Sequence, residues 1–315
     1  MPAPAAGADI RPGRLPLTQA ARPPAATRRR EAAMTTAVRA GAIDFTLLGP
    51  VAARVGGRPV TVTGRRQRVV LALLVLARGR VVPVRTLIDA VWGDRPPLAA
   101  RAAVTRSVLA LRKAFRDAGH TGPLIVATRP GYRLLPGRSG IHDDVCAFEA
   151  LVAAAEEAAA QEEFEEAATL YIRALALWRG PALDGVGGPA TEMAAADLGA
   201  RRTETCRALL GVGESQFEAG FVDEAETTFQ AALCAAEALD DPLPAAEANL
   251  ALGRLCGTFH RTVRAGRHLA AAQRAFRRAG LEATLPAPTP GTPPLLDLIP
   301  RQPGRIRGSA PDRGR

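Results

Sequence analysis

The sequence predicts an α+β winged helix-turn-helix domain followed by an all-α, TPR-like helical repeat domain. Three observations carry that prediction. Between residues 43 and 135 the apolar period goes from strand-like to helical and back to strand-like, and behind Phe148 only helical period remains. The charge also reverses: residues 41–138 hold seventeen basic and four acidic groups, whereas residues 139–285 hold twelve and twenty-three. Lys113 is the only lysine, a sign of coding bias toward Arg, but such a bias would make every segment equally basic. The reversal near residue 139 therefore marks a change in what the surface has to do.

Ile43, Phe45 and Leu47, then Val51, Ala53 and Val55, then Val60 and Val62 alternate, with Gly49-Pro50 and Gly56-Gly57 between the runs. This is the pattern of a short antiparallel meander. From Arg65 the period is helical, with Val70, Leu73, Leu74 and Ala77 on one face, until Gly79 breaks it. A second helix carries Val84, Leu87, Ile88, Val91 and Trp92, with Pro83 expected in its first turn. Gly93 to Pro97 forms a turn, and a third helix, expected over 98–118, places Val104, Val108, Leu111 and Phe115 on one stripe. Two strands, 124–127 and 132–135, close the first domain as a hairpin with the basic tip Thr128-Arg129-Pro130-Gly131.

The second domain contains an internal echo. Glu166-Ala167, Tyr171 and Ala174-Leu175 fall on Glu224-Ala225, Phe229 and Ala232-Leu233 after a slide of 58 residues. Gly213 and Gly220 precede the second copy, and a weaker third copy runs from Leu252-Gly253 through Ala265-Gly266 to Phe276. Small and aromatic residues at such spacing belong to tetratricopeptide-like helix pairs, which stack into a solenoid. The expected organisation is a disordered basic tail over 1–40, a winged-helix domain over 41–138, a helical repeat domain over 142–285 and a disordered tail over 286–315. Arg28, Arg29 and Arg30 read as a solvated charge run, or as an extension ahead of a start at Met34.

The third helix carries the chemistry. A helix fits the major groove of duplex DNA, where each base pair shows its own pattern of donors and acceptors. With the apolar stripe turned inward, Thr105, Arg106 and Ser107 are expected near the middle of the free surface, facing base edges. Arg101, Arg112, Lys113 and Arg116 are expected nearer its ends, facing phosphates. Arg129 and Arg133 on the hairpin suit an adjacent minor groove. Arg65, Arg66 and Arg68 at the start of the first helix could meet backbone, or form an ordinary polar helix start. The predicted partner is double-stranded DNA.

Other classes find little support. There is no phosphate-binding glycine loop, no nucleophile elbow and no zinc-binding pattern among His120, His142, His260 and His268, so no enzyme activity, cofactor or metal is expected. Cys146, Cys206, Cys234 and Cys256 read as reduced core thiols. The longest apolar run, Val69 to Ala77, is about half of what a bilayer crossing needs, and the N-terminus lacks a secretory h-region. A cytoplasmic, nucleoid-associated protein with no membrane contact is expected.

Five stretches resemble the antibiotic-regulatory activators of actinobacteria, in which an OmpR-type winged helix precedes a bacterial transcriptional activator domain. They are LLGPVAARVGGRPVTVTGRRQRVVLALLVLA (47–77), LIDAVWGDRPP (87–97), LRKAF (111–115), RPGYRL (129–134) and ALALWRGPAL (174–183). The resemblance implies an activator that binds direct repeats near promoters as a homodimer and recruits RNA polymerase to secondary-metabolite genes. By position it implies base reading at Thr105, Arg106 and Ser107, phosphate contact at Arg112 and minor-groove entry at Arg133. One departure stands out: relatives carry Ser-Arg or Arg-Arg just before LRKAF, whereas this chain has Leu109-Ala110. An alternative function from another class is a protein-binding adaptor whose basic domain is a nonspecific DNA tether.

Overall fold

The computed structural model describes residues 42–135, 141–238 and 240–281. The expected tails at 1–40 and 286–315, with Arg28 to Arg30, lie outside them. The meander is present as β1 (Ile43–Thr46), β2 (Ala52–Val55) and β3 (Arg58–Pro59), antiparallel with Ile43 opposite Val55 and Arg54 opposite Pro59. A fourth strand, β7 (Ile141–Asp143), runs parallel to β1 and gives the order β3-β2-β1-β7. Three residues carry no period, so the sequence shows no sign of it.

Helix α1 (Arg65–Leu76) packs on α2 (Val84–Trp92), α3 (Ala100–Asp117) and β6 (Gly131–Leu134). It is buried over more than the stripe expected for it: Val69, Val70, Leu71, Ala72, Leu74 and Val75 are buried, and Leu73 and Ala77 only partly. A helix with neighbours on several sides has no single apolar face. Pro83 is the N-cap of α2 and the last residue of β4 (Val82–Pro83), outside the first turn where the sequence placed it.

The expected hairpin consists of β5 (Ile125–Thr128) and β6, with Ile125 opposite Leu134 and Thr128 opposite Gly131, and β4 adds to its far edge. Gly131 is required there, because a Cβ would come within 1.8 Å of the Val82 carbonyl oxygen. Inside, the α3 stripe is as expected: Val104, Val108, Leu111 and Phe115 are buried, and the Phe115 ring meets Phe45 at 5.9 Å.

Packing continues past residue 139. The core that holds Phe45 and Leu111 also holds Val145 and Phe148 of α4 (Asp144–Ala160), together with Trp178, Leu183 and Val186 of the segment behind α5 (Phe164–Leu175). Phe148 and Trp178 meet edge to face at 5.6 Å. The backbone joins as well: Arg179 and Leu183 donate their N–H groups to the carbonyls of Leu48 and Leu47, each at 2.8 Å.

Beyond this junction lie α6 (Pro189–Glu218), α7 (Val222–Glu237), α8 (Pro242–Thr258) and α9 (Thr262–Arg278), each packed on the next. Three helix pairs repeat one arrangement. Ala167, Ala225 and Ala265 are fully buried at equivalent points, each twelve residues behind a buried Ala155, Gly213 or Gly253 of the preceding helix. A Cβ on Gly213 would lie 2.6 Å from the Phe229 ring, and one on Gly253 would lie 2.9 Å from Leu269. The counterpart of Phe229 in the third copy is therefore Leu269. Phe276, where the third copy was expected to end, is buried seven residues later in a small cluster with Ala246 and Leu250. Cys206 and Cys256 are buried, Cys146 partly so, and Cys234 is exposed, which corrects the expectation of a core thiol there.

Candidate nucleic-acid interface

Helix α3 has one face in the core and one in solvent, and the hairpin β5-β6 stands beside it. On the outer face Arg101, Thr105, Arg106, Leu109, Lys113 and Arg116 are exposed, as are Arg129 and Arg133 on the hairpin. On α3, positions 101, 105, 109, 113 and 116 follow at spacings of three and four, with Arg106 beside Thr105, so they form a stripe along the helix. Among the described residues no acidic side chain pairs with Arg101, Arg106, Arg116, Arg129 or Arg133; Lys113 alone bonds Asp117, at 2.7 Å. Some arginines elsewhere are paired, as Arg207 is with Glu247 and Arg261 and Arg264 are with Glu226. Those on the outer face of α3 and on the hairpin lie side by side without such partners and leave an uncompensated positive surface.

Two predicted contact residues lie elsewhere. Ser107 is 8% exposed and donates its hydroxyl to the Ala103 carbonyl at 3.0 Å, so it faces the core side and cannot read a base. The 100° turn per residue carries Ser107 past Arg106 and around toward Val104. Arg112 is half-buried, and its Nε–H donates to the Ile125 carbonyl at 2.9 Å, tying α3 to β5. It acts as a strut between helix and wing. The Thr105 hydroxyl is shared with the Arg101 carbonyl at 3.1 Å and the Tyr132 hydroxyl at 3.3 Å, which makes a second tie to the wing that the sequence reading did not foresee.

The α1 arginines diverge. Arg66 is exposed, its guanidinium 5.7 Å from the Trp92 ring. Arg65 leans over Gly187, where a Cβ would approach its guanidinium to 2.7 Å, and Arg68 has its Nε buried without a partner. Arg65 and Arg66 are both exposed, whereas Arg68 is half-buried. Burial lowers the His120 imidazole below its ordinary value, which disfavours a positive charge there. Among the described residues no group of His, Cys, Asp or Glu could hold a metal ion, and no helix is long and apolar enough to cross a membrane.

A positioning helix, a turn, an outward helix and a flanking hairpin, followed by stacked helix pairs, define a winged helix-turn-helix regulator with a helical repeat module. The comparisons with known proteins agree. The model of the C-terminal domain of transcriptional regulatory proteins matches residues 57–134, and that of the bacterial transcriptional activator domain matches residues 144–255. The transcriptional regulatory protein EmbR of Mycobacterium tuberculosis is 42% identical over 146 residues, 45% of this chain and 36% of that protein. The regulatory protein DnrI of Streptomyces peucetius is 35% identical over 145 residues, 45% of this chain and 53% of its own length. A solved structure of EmbR in complex with a low-affinity phosphopeptide is 30% identical, with a TM-score of 0.49 over 78% of this chain and 67% of that one. By these matches the chain joins an OmpR-type C-terminal domain to a bacterial transcriptional activator domain and is similar to regulators of the antibiotic-regulatory family. It spans between 15% and 53% of the length of the curated relatives it matches.

Proposed function

We propose that the chain is a sequence-specific, DNA-binding transcription activator of secondary-metabolite genes. It binds direct repeats near promoters as a homodimer and recruits RNA polymerase through its repeat domain. The observation that supports this reading is the band of unpaired, exposed arginines running from α3 onto the hairpin beside it. In this reading Thr105 and Arg106 face base edges in the major groove, Arg101, Lys113, Arg116 and Arg66 meet phosphates, and Arg129 and Arg133 reach the adjacent minor groove. Residues 41–138 form the DNA-binding unit and residues 142–285 the unit for protein contacts, in a cytoplasmic, nucleoid-associated protein with no enzymatic role.

The test is selection of bound duplexes from a random pool by the full chain at physiological salt, followed by sequencing. A sequence-specific dimer enriches a repeated motif with half-sites about one helical turn apart, and prefers it over bulk DNA by about a thousandfold or more. Binding with steep salt dependence and no enriched motif would instead support the adaptor with a basic tether, because phosphate contacts supply affinity without sequence.

A further inference from the structure

Leu109 is 53% exposed on α3, although Val104, Val108, Leu111 and Phe115 of the same helix are buried. It follows Arg106 by three residues and Thr105 by four, and precedes Lys113 by four, and all of these are exposed. Helical spacing puts it in the middle of the cationic face, on the side away from the core stripe. A solitary exposed leucine is ordinary on a protein surface. One ringed by Arg106, Lys113 and Arg116 is not, because any apolar protein partner covering it would have to strip water from those cations as well. A polyanion faces no such penalty. Its phosphates meet the cations at the rim, and Leu109 is left over whatever the phosphates flank.

In the major groove the base edges present donors and acceptors, with a single apolar group among them, the C5 methyl of thymine. A leucine set against any other edge leaves a polar atom unpaired, whereas against thymine it buries a methyl group on an apolar side chain. We infer that Leu109 is a specificity-determining residue that packs on the C5 methyl of a thymine in each half-site. This rests on the reading of α3 as the major-groove helix.

The test uses the full chain and the Leu109→Ala and Leu109→Gln variants. Because the side chain is exposed and outside the core, both variants should keep the thermal midpoint of the unaltered protein, which is checked first. Duplexes are selected from a random pool with each protein, and each thymine of the resulting site is then replaced by deoxyuridine, which removes only the methyl. The unaltered chain should lose affinity about fourfold at one thymine per half-site, the worth of about one buried methyl group. Leu109→Ala should bind the two duplexes equally, and Leu109→Gln should move the preference at that position toward adenine, whose edge an amide matches. A selected site with no methyl-sensitive thymine, or one equally sensitive in Leu109→Ala, overturns the assignment to Leu109 while leaving sequence-specific binding intact. Failure of the unaltered chain to enrich any motif overturns the sequence-specific reading itself, and this assignment with it.

Discussion

The carboxylate of Asp144 accepts the backbone N–H of Leu47 at 2.7 Å, across 97 positions of chain, and its other oxygen takes the N–H of Leu48 at 3.1 Å. Arg179 closes the group from the other side with an ion pair to the same carboxylate. The end of β1 is thus held by the first residue of α4, which fixes the meander against the repeat domain.

Removing that carboxylate strands two backbone donors in a place where the Asp144 side chain is only 10% exposed. Asp144→Ala should therefore destabilise the protein by about 2–4 kcal/mol, the cost of two partly buried N–H groups without acceptors. Asp144→Asn keeps one acceptor oxygen and should lose less. Arg179→Ala, whose side chain is half in solvent, should cost under about 1 kcal/mol, as exposed ion pairs do. Urea unfolding followed by circular dichroism gives all three; equal losses for Asp144→Ala and Arg179→Ala would mean that the ion pair, and not the backbone clasp, holds the junction.

The repeat packing makes a second prediction. Gly213 lies so close to Phe229 that an added Cβ would sit 2.6 Å from its ring, whereas one on Gly211, two residues earlier in the same helix, would meet nothing within 4 Å. Gly213→Ala should cost about 1–3 kcal/mol by overpacking. Gly211→Ala should stabilise by about 0.5–1 kcal/mol, since it only removes backbone freedom from a helix interior. Opposite shifts in thermal midpoint would establish the contact; parallel shifts would refute it.

Where a residue's neighbours are its own helix or hairpin, the sequence was readable. The α3 stripe and the β5-β6 register follow from period and from the Arg129-Pro130-Gly131 tip, and both are where the pattern put them. Failures occurred where the deciding partner is distant in sequence. Ile141 to Asp143 become a strand only because β1 is there to pair with them. Arg112 looks like any exposed cation until the Ile125 carbonyl is placed beside it. The echo at 58 residues is legible in the sequence, but the next interval is 40, as Ala167, Ala225 and Ala265 show. Trp178, Leu183 and Val186 leave the solenoid between the first two copies to pack into the winged-helix core, and that excursion lengthens the first interval.

Acid should weaken the last helix pair. Nδ1 of His268 donates to Oδ1 of Asn249 at 2.9 Å, and Asn249 in turn donates its amide to the Ala245 carbonyl at 2.9 Å. Burial lowers the His268 imidazole below its ordinary value, nearby Arg264 adds to this, and Glu226 opposes it. A lowered value means that the unfolded chain takes up the proton first as pH falls. This part of the stability is present above the ordinary histidine value of 6.5 and is lost as pH drops through it toward the lowered one. His120, lowered by burial in the other domain, acts in the same direction. His268→Asn can keep a donor near Asn249 without the titration, so its midpoint should fall less between pH 7.5 and 5.5 than that of the unaltered protein. An identical fall would remove His268 from the account.

The recognition face can be dissected by substitutions with unlike readouts. Arg106 is exposed and without an acidic partner, so Arg106→Ala should leave the thermal midpoint unchanged, weaken binding to the selected site by about 1–3 kcal/mol and relax preference at one base position. Lys113→Ala should weaken binding to every sequence alike and reduce the slope of affinity against salt by about one phosphate contact. Ser107→Ala should do neither, since its hydroxyl is committed to the Ala103 carbonyl inside the fold. Arg112→Ala should act mainly on stability, by about 1 kcal/mol, because it frees the Ile125 carbonyl and loosens the wing against α3. Measured side by side on one duplex, these variants separate base reading, phosphate contact and wing support. A Ser107→Ala variant that lost sequence preference while Arg106→Ala kept it would mean that α3 enters the groove by a different face from the one described.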